Sequence, residues 1–149
     1  MLDVRTDEIK TKPIKSFTDL MAWQAAYKLC LETYKTTKSF SSSENIGLTS
    51  QMRRASVSAV SNIAEGFGRS SKKDRGYFYQ MASGSLYELK SQMLVASGLQ
   101  YLSESEYAQL LELADRTHKL LHGLLRAHRA SNINHLTSKR GFRGENIQK

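Results

Sequence analysis

The chain has 149 residues, of which 40% are hydrophobic and 24% are charged, and its formal net charge is +8. This composition excludes an intrinsically disordered chain, and the length predicts one domain with a sizeable buried core. Nine glycines but a single proline argue against a β architecture, and a single cysteine excludes an internal disulfide. We see no signal-peptide pattern and no apolar run near 18 residues, so we expect a cytoplasmic protein with no membrane association. The excess of positive charge favours a polyanionic partner.

The first predicted helix covers residues 17–38. Apolar residues recur along it at steps of three and four: Leu20, Trp23, Tyr27, Leu31 and Tyr34. This spacing is typical of one helix face, which we expect to pack into the core. Cys30 lies beside this row and is predicted to be a small core residue rather than a nucleophile. The Ser-rich run 39–47 then predicts a loop.

The second and third predicted helices begin near Thr49 and after Ser71. The second has an apolar face made mostly of Ala and Ser, which lets another helix approach closely. A Ser-x-x-Asp capping pattern opens the third, which runs to about residue 98. Between them lies the stretch SNIAEGFGRS, residues 61–70. We expect Gly66 or Gly68 to end the second helix in the left-handed conformation.

The fourth predicted helix opens with the capping sequence SESE at residues 103–106 and continues to about Arg129. Four helices of this length with short connections predict an all-α fold, an antiparallel up-down-up-down four-helix bundle. The ends of the chain lack helical periodicity. We therefore divide it into an N-terminal arm expected to be flexible, 1–16, a four-helix bundle, 17–129, and a basic C-terminal tail, 130–149.

Polar residues interrupt the faces that the second and third helices turn toward each other: Asn62, Glu65, Ser85 and Glu88. Asn62 and Glu65 are three residues apart and share one helix face. We predict that these four side chains form a structural polar seam that fixes the register of two closely packed helices. A polar or catalytic pocket is the alternative that the sequence leaves open.

Four segments together resemble one known family: residues 17–24, 48–55, 58–66 and 82–89. The family comprises the four-helix-bundle proteins encoded in 23S rRNA intervening sequences, and the resemblance spans about residues 17–128. It implies a homopentameric ring of antiparallel bundles, and it supplies no catalytic residues because the family has none established. A more distant similarity, to the accessory protein of diversity-generating retroelements, implies a basic pentamer that works with nucleic acid and a reverse transcriptase or another protein partner.

Antiparallel threading predicts that basic residues far apart in the sequence meet at one end of the bundle. The turn between the second and third helices, the end of the fourth helix and the tail all belong to this end. We predict that it binds RNA, or single-stranded or structured DNA, with low sequence specificity. The predicted contact residues are Arg69, Lys72, Lys73, Arg75, Arg126, Arg129, Lys139, Arg140 and Arg143. A protein-interaction scaffold that does not bind nucleic acid is the alternative.

A di-metal site is an alternative interpretation of the sequence. Asp115-x-x-His118 gives one imperfect half of such a site, and Glu65, Glu88 and Glu112 supply further carboxylates. Bundle di-metal sites need a second element of the same kind, which the sequence lacks. We therefore predict no metal and no cofactor.

A metal-independent ribonuclease of the HEPN type is a second alternative interpretation of the sequence. Arg116 with His122, and Arg129 with His135, fit its motif of Arg, four to six residues and His. In such a site the His acts as the general base and the Arg stabilises the developing phosphate charge. The spacing is loose enough to arise by chance in a basic helical chain, so we predict no catalytic residues and a protein that is not an enzyme.

Overall fold

The computed structural model describes the backbone of residues 12–140 and the side chains of residues 12–130. It contains four α-helices: α1 Met21–Thr37, α2 Leu48–Gly68, α3 Lys72–Gly98 and α4 Glu104–Arg140. Single 3-10 turns lie at Phe17–Asp19 and Ser42–Glu44, and the described residues include no strand. None of the described helices is both long enough and apolar enough to cross a bilayer. The predicted all-α class is confirmed.

Contacts between side chains show that α1, α2 and α3 run in alternating directions. Arg53 near the start of α2 donates from Nε to Thr37 Oγ1 at the end of α1, at 2.9 Å. The Ser58 and Ser85 hydroxyls of α2 and α3 lie 2.8 Å apart. At the other end of α2, Gly66 packs on Tyr79 near the start of α3. Each of these helices is therefore antiparallel to the next.

The fourth helix completes the bundle by packing between α3 and α1. Lys90 late in α3 pairs with Asp115 early in α4, with 2.8 Å between Nζ and Oδ1. Gly76 early in α3 lies against His128 of α4. Helices α3 and α4 are therefore antiparallel, and the four-helix bundle predicted from the sequence is confirmed.

Helix α1 turns a different face to the core from the predicted one. Its buried residues are small or hydroxyl-bearing, with one leucine among them: Ala22, Ala26, Leu29, Thr33 and Thr37. Thr33 can be buried because its hydroxyl donates to the Leu29 carbonyl at 2.8 Å, and Thr37 donates to the Thr33 carbonyl at 2.7 Å. A hydroxyl satisfied by its own helix packs almost like a methyl group. The sequence pattern missed this face because it counted large apolar residues.

The predicted core row of α1 lies largely on the surface. Tyr27, Leu31 and Tyr34 are 47%, 52% and 40% exposed. The prediction that they pack into the core of the bundle was therefore wrong. Cys30 is half-buried at the side of this row, where the Ser56 hydroxyl contacts its sulfur at 3.5 Å.

The glycines of the SNIAEGFGRS stretch do not end α2 in the predicted way. The helix continues through Gly68, and Arg69 follows it in an extended conformation with φ −79°. No glycine in the described part of the chain has a positive φ. Gly66 is buried, and a Cβ there would lie 2.7 Å from the ring of Tyr79. Its role is close packing of α3 on α2 rather than a left-handed cap.

Helix α4 is longer than predicted, because it continues past Arg129 to Arg140. Residues 130–140 contain neither Gly nor Pro, so nothing in their backbone preference ends the helix. Their lack of an apolar face caused the early predicted end. The division into an arm, a bundle and a tail stays a prediction, and residues 1–11 and 141–149 lie outside the described residues.

Candidate nucleic-acid interface

The turn between α2 and α3 lies at the end of the bundle where the sequence predicts that basic residues meet. Ser71 caps α3 by accepting the Asp74 N–H at 3.1 Å. Arg69 lies over the ring of Phe78, with its guanidinium carbon 4.6 Å from the ring centre, and pairs with Glu65 one turn earlier. Arg75 donates from Nε to the Arg69 carbonyl. Two of the predicted contact residues thus also hold the turn in its conformation.

Two lysines occupy the first turn of α3, where a positive charge does not help the helix. Lys72 and Lys73 are exposed at the helix N-terminus, whose backbone dipole favours negative groups. Asp74 in the same turn supplies one such group. A positive charge at this position opposes the helix dipole by roughly a few tenths of a kcal/mol.

The part of α4 around residues 126–129 lies beside the start of α3, as the topology predicts. A Cβ on Gly76 would be 3.1 Å from His128 Nε2, and the rings of Tyr79 and His128 meet edge to face at 6.3 Å between centres. Arg126 and Arg129 are exposed on the same part of α4. The structure therefore brings these two arginines to the end that holds the α2–α3 turn.

A small groove joins the two helices at this end. It has a volume of about 290 Å³ and is lined by Gln80 of α3 and by His122, Leu125, Arg126 and Arg129 of α4. Two guanidinium groups and an imidazole around a space of this size suit a phosphate group. The sequence predicted both arginines at this end but gave no sign of Gln80, which is uncharged, and it suggested His122 only as a partner of Arg116.

Three of the predicted contact residues have no described side chain. Lys139 and Arg140 lie in the last turn of α4, for which the structure gives the backbone course. Because Gly76 is level with His128 in the antiparallel pair, α4 extends beyond the start of α3. Arg143 lies outside the described residues.

The predicted polar seam lies between α2 and α3 at the surface. Ser85 bonds across it to Ser58, and Asn62 donates to the Ser58 carbonyl at 2.8 Å. The two acidic residues take other partners: Glu65 pairs with Arg69 within α2, and Glu88 lies 3.5 Å from Arg54. The Ser58–Ser85 and Arg54–Glu88 contacts therefore join the two helices, whereas the contacts of Asn62 and Glu65 are local to α2.

A buried network between α3 and α4 was not found from the sequence. His118 is 4% exposed, with Nδ1 2.8 Å from Lys90 Nζ and Nε2 3.1 Å from Ser83 Oγ. Burial, reinforced by the charge of Lys90, lowers the pKa of His118 to about 4. The Lys90 ammonium donates to Nδ1, so Nε2 carries the proton and donates to Ser83. His118 therefore cannot act as a base toward this serine.

The contacts of Lys90 also concern the alternative interpretation in which Asp115 and His118 bind a metal ion. Lys90 lies between Asp115 and His118, where a metal ion bound to both would have to be. Within residues 12–130, no three His, Cys, Asp or Glu side chains converge in a metal-binding arrangement.

The first HEPN-type pair is divided between two grooves. Arg116 lines the groove between α1 and α4, whereas His122 lines the groove toward α3. In the second pair, the side chain of His135 lies outside the described residues.

Comparisons with known proteins agree with this architecture. The family model described as 23S rRNA-intervening sequence protein matches residues 18–123. A crystal structure of a protein with unknown function from the S23 ribosomal protein family, from Bacteroides thetaiotaomicron VPI-5482, is similar with a TM-score of 0.63. The two chains are 16% identical, and the match covers 70% of this chain and 97% of that one, which shows the shared fold. No curated protein matches the chain.

Proposed function

The chain belongs to the family of 23S rRNA-intervening sequence proteins, and on that basis we propose that it is a non-enzymatic protein that binds nucleic acid through one end of its bundle. The ligand is RNA, or single-stranded or structured DNA, recognised with low sequence specificity. We further propose that the protein acts in the cytoplasm. We name its proposed contact surface the basic end, formed by the α2–α3 turn, the first turn of α3 and the last described turns of α4.

One observation carries this proposal: cations from two separate parts of the sequence share the basic end. Gly76 of α3 lies against His128 of α4, so Lys73 and Arg129 lie on neighbouring turns of the two helices. Phosphate groups along a nucleic-acid backbone recur at short intervals, and a cluster of lysines and arginines displaces their counterions whatever the base sequence. Tyr77, which is 61% exposed in the same part of α3, offers a ring on which a base can stack.

A ring of several copies, a homopentamer as the family resemblance implies, is part of the proposal. The exposed row Tyr27, Leu31 and Tyr34 supports it, because apolar rows on a bundle surface are common where another chain packs. In a ring, the basic end of each copy would contribute to one continuous positive surface. The same row favours a second candidate, a scaffold that binds another protein, such as a reverse transcriptase, without nucleic acid.

A salt series tests the nucleic-acid proposal. Fluorescence anisotropy with labelled single-stranded and hairpin RNA should give binding at 50 mM salt that weakens steeply by 200 mM salt. Lys73→Glu should weaken binding of both RNAs by a similar factor. Lys119→Glu, the same charge change at an exposed position in the middle of α4, is the matched control. Negligible binding at 50 mM salt would contradict the proposal and leave the scaffold as the better candidate.

A further inference from the structure

The outward face of α3 carries almost no charge, although it meets solvent in the single chain. Seven residues between positions 81 and 95 are exposed, and we call them the α3 outer face: Met81, Gly84, Tyr87, Glu88, Ser91, Leu94 and Val95. Glu88 is the one charged residue among them. Tyr87 and Leu94 are each 59% exposed, and Val95 is 50% exposed. The outer face of a helix that remains in water is normally polar and charged, so this composition indicates that another protein surface covers the face.

Gly84 leaves a hollow in the middle of the α3 outer face. A glycine in the interior of a helix weakens that helix relative to alanine. No other group lies within 4 Å of a Cβ placed on Gly84, so packing inside the chain does not require the missing side chain. Ser91, two turns further along the same face, is again small. Large side chains of a second helix can enter the space above small residues at this spacing.

The exposed row of α1 is the surface of this chain that suits the α3 outer face. Its Tyr27, Leu31 and Tyr34 supply large side chains where α3 supplies small ones. Within the described part of the chain α1 and α3 make no contact with each other, so they occupy opposite corners of the bundle and their outward faces point away from each other. One chain therefore cannot bring the two faces together. A neighbouring copy can, and every copy added in this way leaves one face of each kind for the next.

Charge favours this pairing over the pairing of α3 with a second α3. Lys28 and Lys35 are exposed on α1 beside the row, and neither has an ion-pair partner within residues 12–130. Glu88 lies near the middle of the α3 outer face. If two copies of α3 packed together about a two-fold axis through this face, their Glu88 carboxylates would approach each other. Against α1 the carboxylate meets a lysine instead, which is electrostatically complementary.

The levels of the residues along the bundle indicate which lysine meets this carboxylate. Arg53 of α2 is bonded to Thr37 of α1. The next residue of α2, Arg54, lies 3.5 Å from Glu88 of α3. Glu88 is therefore level with the last turn of α1, to which Lys35 belongs. Because α1 and α3 run in the same direction, copies standing side by side with parallel bundle axes bring Lys35 of one copy to Glu88 of the next.

We propose that the α3 outer face binds the exposed row of α1 of a neighbouring copy, with Leu31 packed at Gly84 and Lys35 paired with Glu88. This inference rests on the proposed ring and names the two surfaces that join its copies. The contact is head to tail, since each copy uses a different face toward each neighbour, and such contacts close into a ring when the rotation between copies permits. Parallel bundles in that ring turn all of their basic ends the same way.

Sedimentation velocity of the full chain at micromolar concentration tests the charge pair. Lys35→Glu and Glu88→Lys should each shift the protein to a lower assembled mass, because each places like charges across the contact. The double variant has opposite charges again, so its mass should return toward that of the wild type. A contact between two α3 helices could not be restored in this way. Lys119→Glu, the same charge reversal at an exposed position of α4, is the matched control and should keep the wild-type mass.

Gly84→Trp tests the fit of the two surfaces. Its indole would fill the space that Leu31 of the next copy enters, so the assembled mass should fall. The helical circular dichroism should stay unchanged, because no group of the same chain lies close to this position. Gly68→Trp is the matched control, since Gly68 is also an exposed helical glycine with nothing within 4 Å of a Cβ.

The outcomes separate this contact from the ring itself. An assembled wild type whose mass is unchanged in Gly84→Trp would overturn the proposed contact and leave the ring in place, as would a charge double variant that stays at the lower mass of the single variants. A monomeric wild type would overturn both. None of these measurements uses RNA, so they are also distinguishable from failure of the nucleic-acid proposal.

Discussion

Gly66 is buried beneath Tyr79, at a point where no side chain fits. A Cβ there would lie 2.7 and 2.8 Å from two ring atoms of Tyr79 and 3.2 Å from the Arg75 carbonyl. Tyr79 is itself 4% exposed, so its ring has little room to move. The missing side chain at this position therefore sets how closely α2 and α3 approach.

Gly66→Ala should destabilise the protein by about 1–3 kcal/mol, because overpacking forces Tyr79 or the backbone to shift. Gly68→Ala is the control, since nothing lies within 4 Å of a Cβ there and α2 still includes this residue. In the control, replacing a helical glycine should add about 0.5–1 kcal/mol of stability. Urea unfolding followed by circular dichroism measures both values, and equal effects in the two variants would contradict the close-packing role.

His118 makes the stability of the protein depend on pH. Its pKa is lowered to about 4 by burial, then by Lys90 and His122, while an unfolded chain has a His pKa near 6.5. Asp115, on the same helix, acts in the opposite direction. As the pH falls from 6.5 toward 4, the unfolded chain therefore takes up a proton that the folded protein does not. The folded state is fully favoured above pH 6.5 and loses stability through this window.

His118→Gln should remove this pH dependence because the amide can still donate to Ser83 but does not titrate. Relative to the variant, the wild type should lose roughly 2 kcal/mol of unfolding free energy between pH 7 and pH 4.5. Chemical denaturation at several pH values measures the difference, in which the contribution of carboxylates common to both proteins cancels. Parallel profiles for the two proteins would show that the imidazole does not titrate in this range.

At the scale of the helices, the capping sequences at the starts of α3 and α4 were reliable, whereas the predicted glycine cap of α2 and the predicted end of α4 were wrong. Ser71 and Ser103 cap α3 and α4 as predicted, and Glu106 completes the capping box by accepting the Ser103 N–H at 3.1 Å. Caps depend on residues three positions apart, so the sequence contains everything they need. The antiparallel order also followed from the short connections.

Features that depend on neighbouring helices were not predictable in the same way. Large apolar residues such as Leu31 look like core residues, whereas Ala and Thr do not, and which face of α1 is buried depends on the spacing of the other helices. The packing role of Gly66 required knowledge of Tyr79, thirteen residues later. The basic end was predicted because charge and topology suffice to place it, but the Lys90–His118 contact was not, because it depends on the rotation of two helices about their axes.

The exposed row of α1 is a surface that another copy of the chain can cover. If it forms the contact between copies in the proposed ring, Leu31→Glu should place an unpaired carboxylate in that contact and lower the assembled mass. Leu99→Glu, which makes the same change at a 56% exposed position after α3, is the control. Sedimentation velocity at micromolar concentration measures the mass, and a monomeric wild type would contradict self-association through this row.

At the scale of the whole molecule, the antiparallel order places basic residues of α3 and α4 side by side, where we expect them to contact the same RNA. Lys73 and Arg129 are separated by about half of the bundle in sequence but lie on neighbouring turns of α3 and α4. Lys73→Glu combined with Arg129→Glu should weaken RNA binding by about the product of the single effects. The slope of log affinity against log salt should fall by roughly one for each cation removed. Anisotropy titrations measure both, and single variants that bind RNA as tightly as the wild type would show that neither residue contacts the ligand.

The bundle has an even number of antiparallel helices, so the first and last described residues lie at the same end of it. This arrangement determines where a fusion partner can be attached without covering that end. With four helices, residue 12 and residue 140 leave the bundle on the side of the α2–α3 turn, while the α1–α2 and α3–α4 connections face the other way. A fluorescent protein fused directly at residue 12 or residue 140 would therefore crowd the proposed RNA-binding surface. A reporter attached at Leu99, beside the α3–α4 connection, would leave that surface open and, in a ring, would decorate the opposite rim.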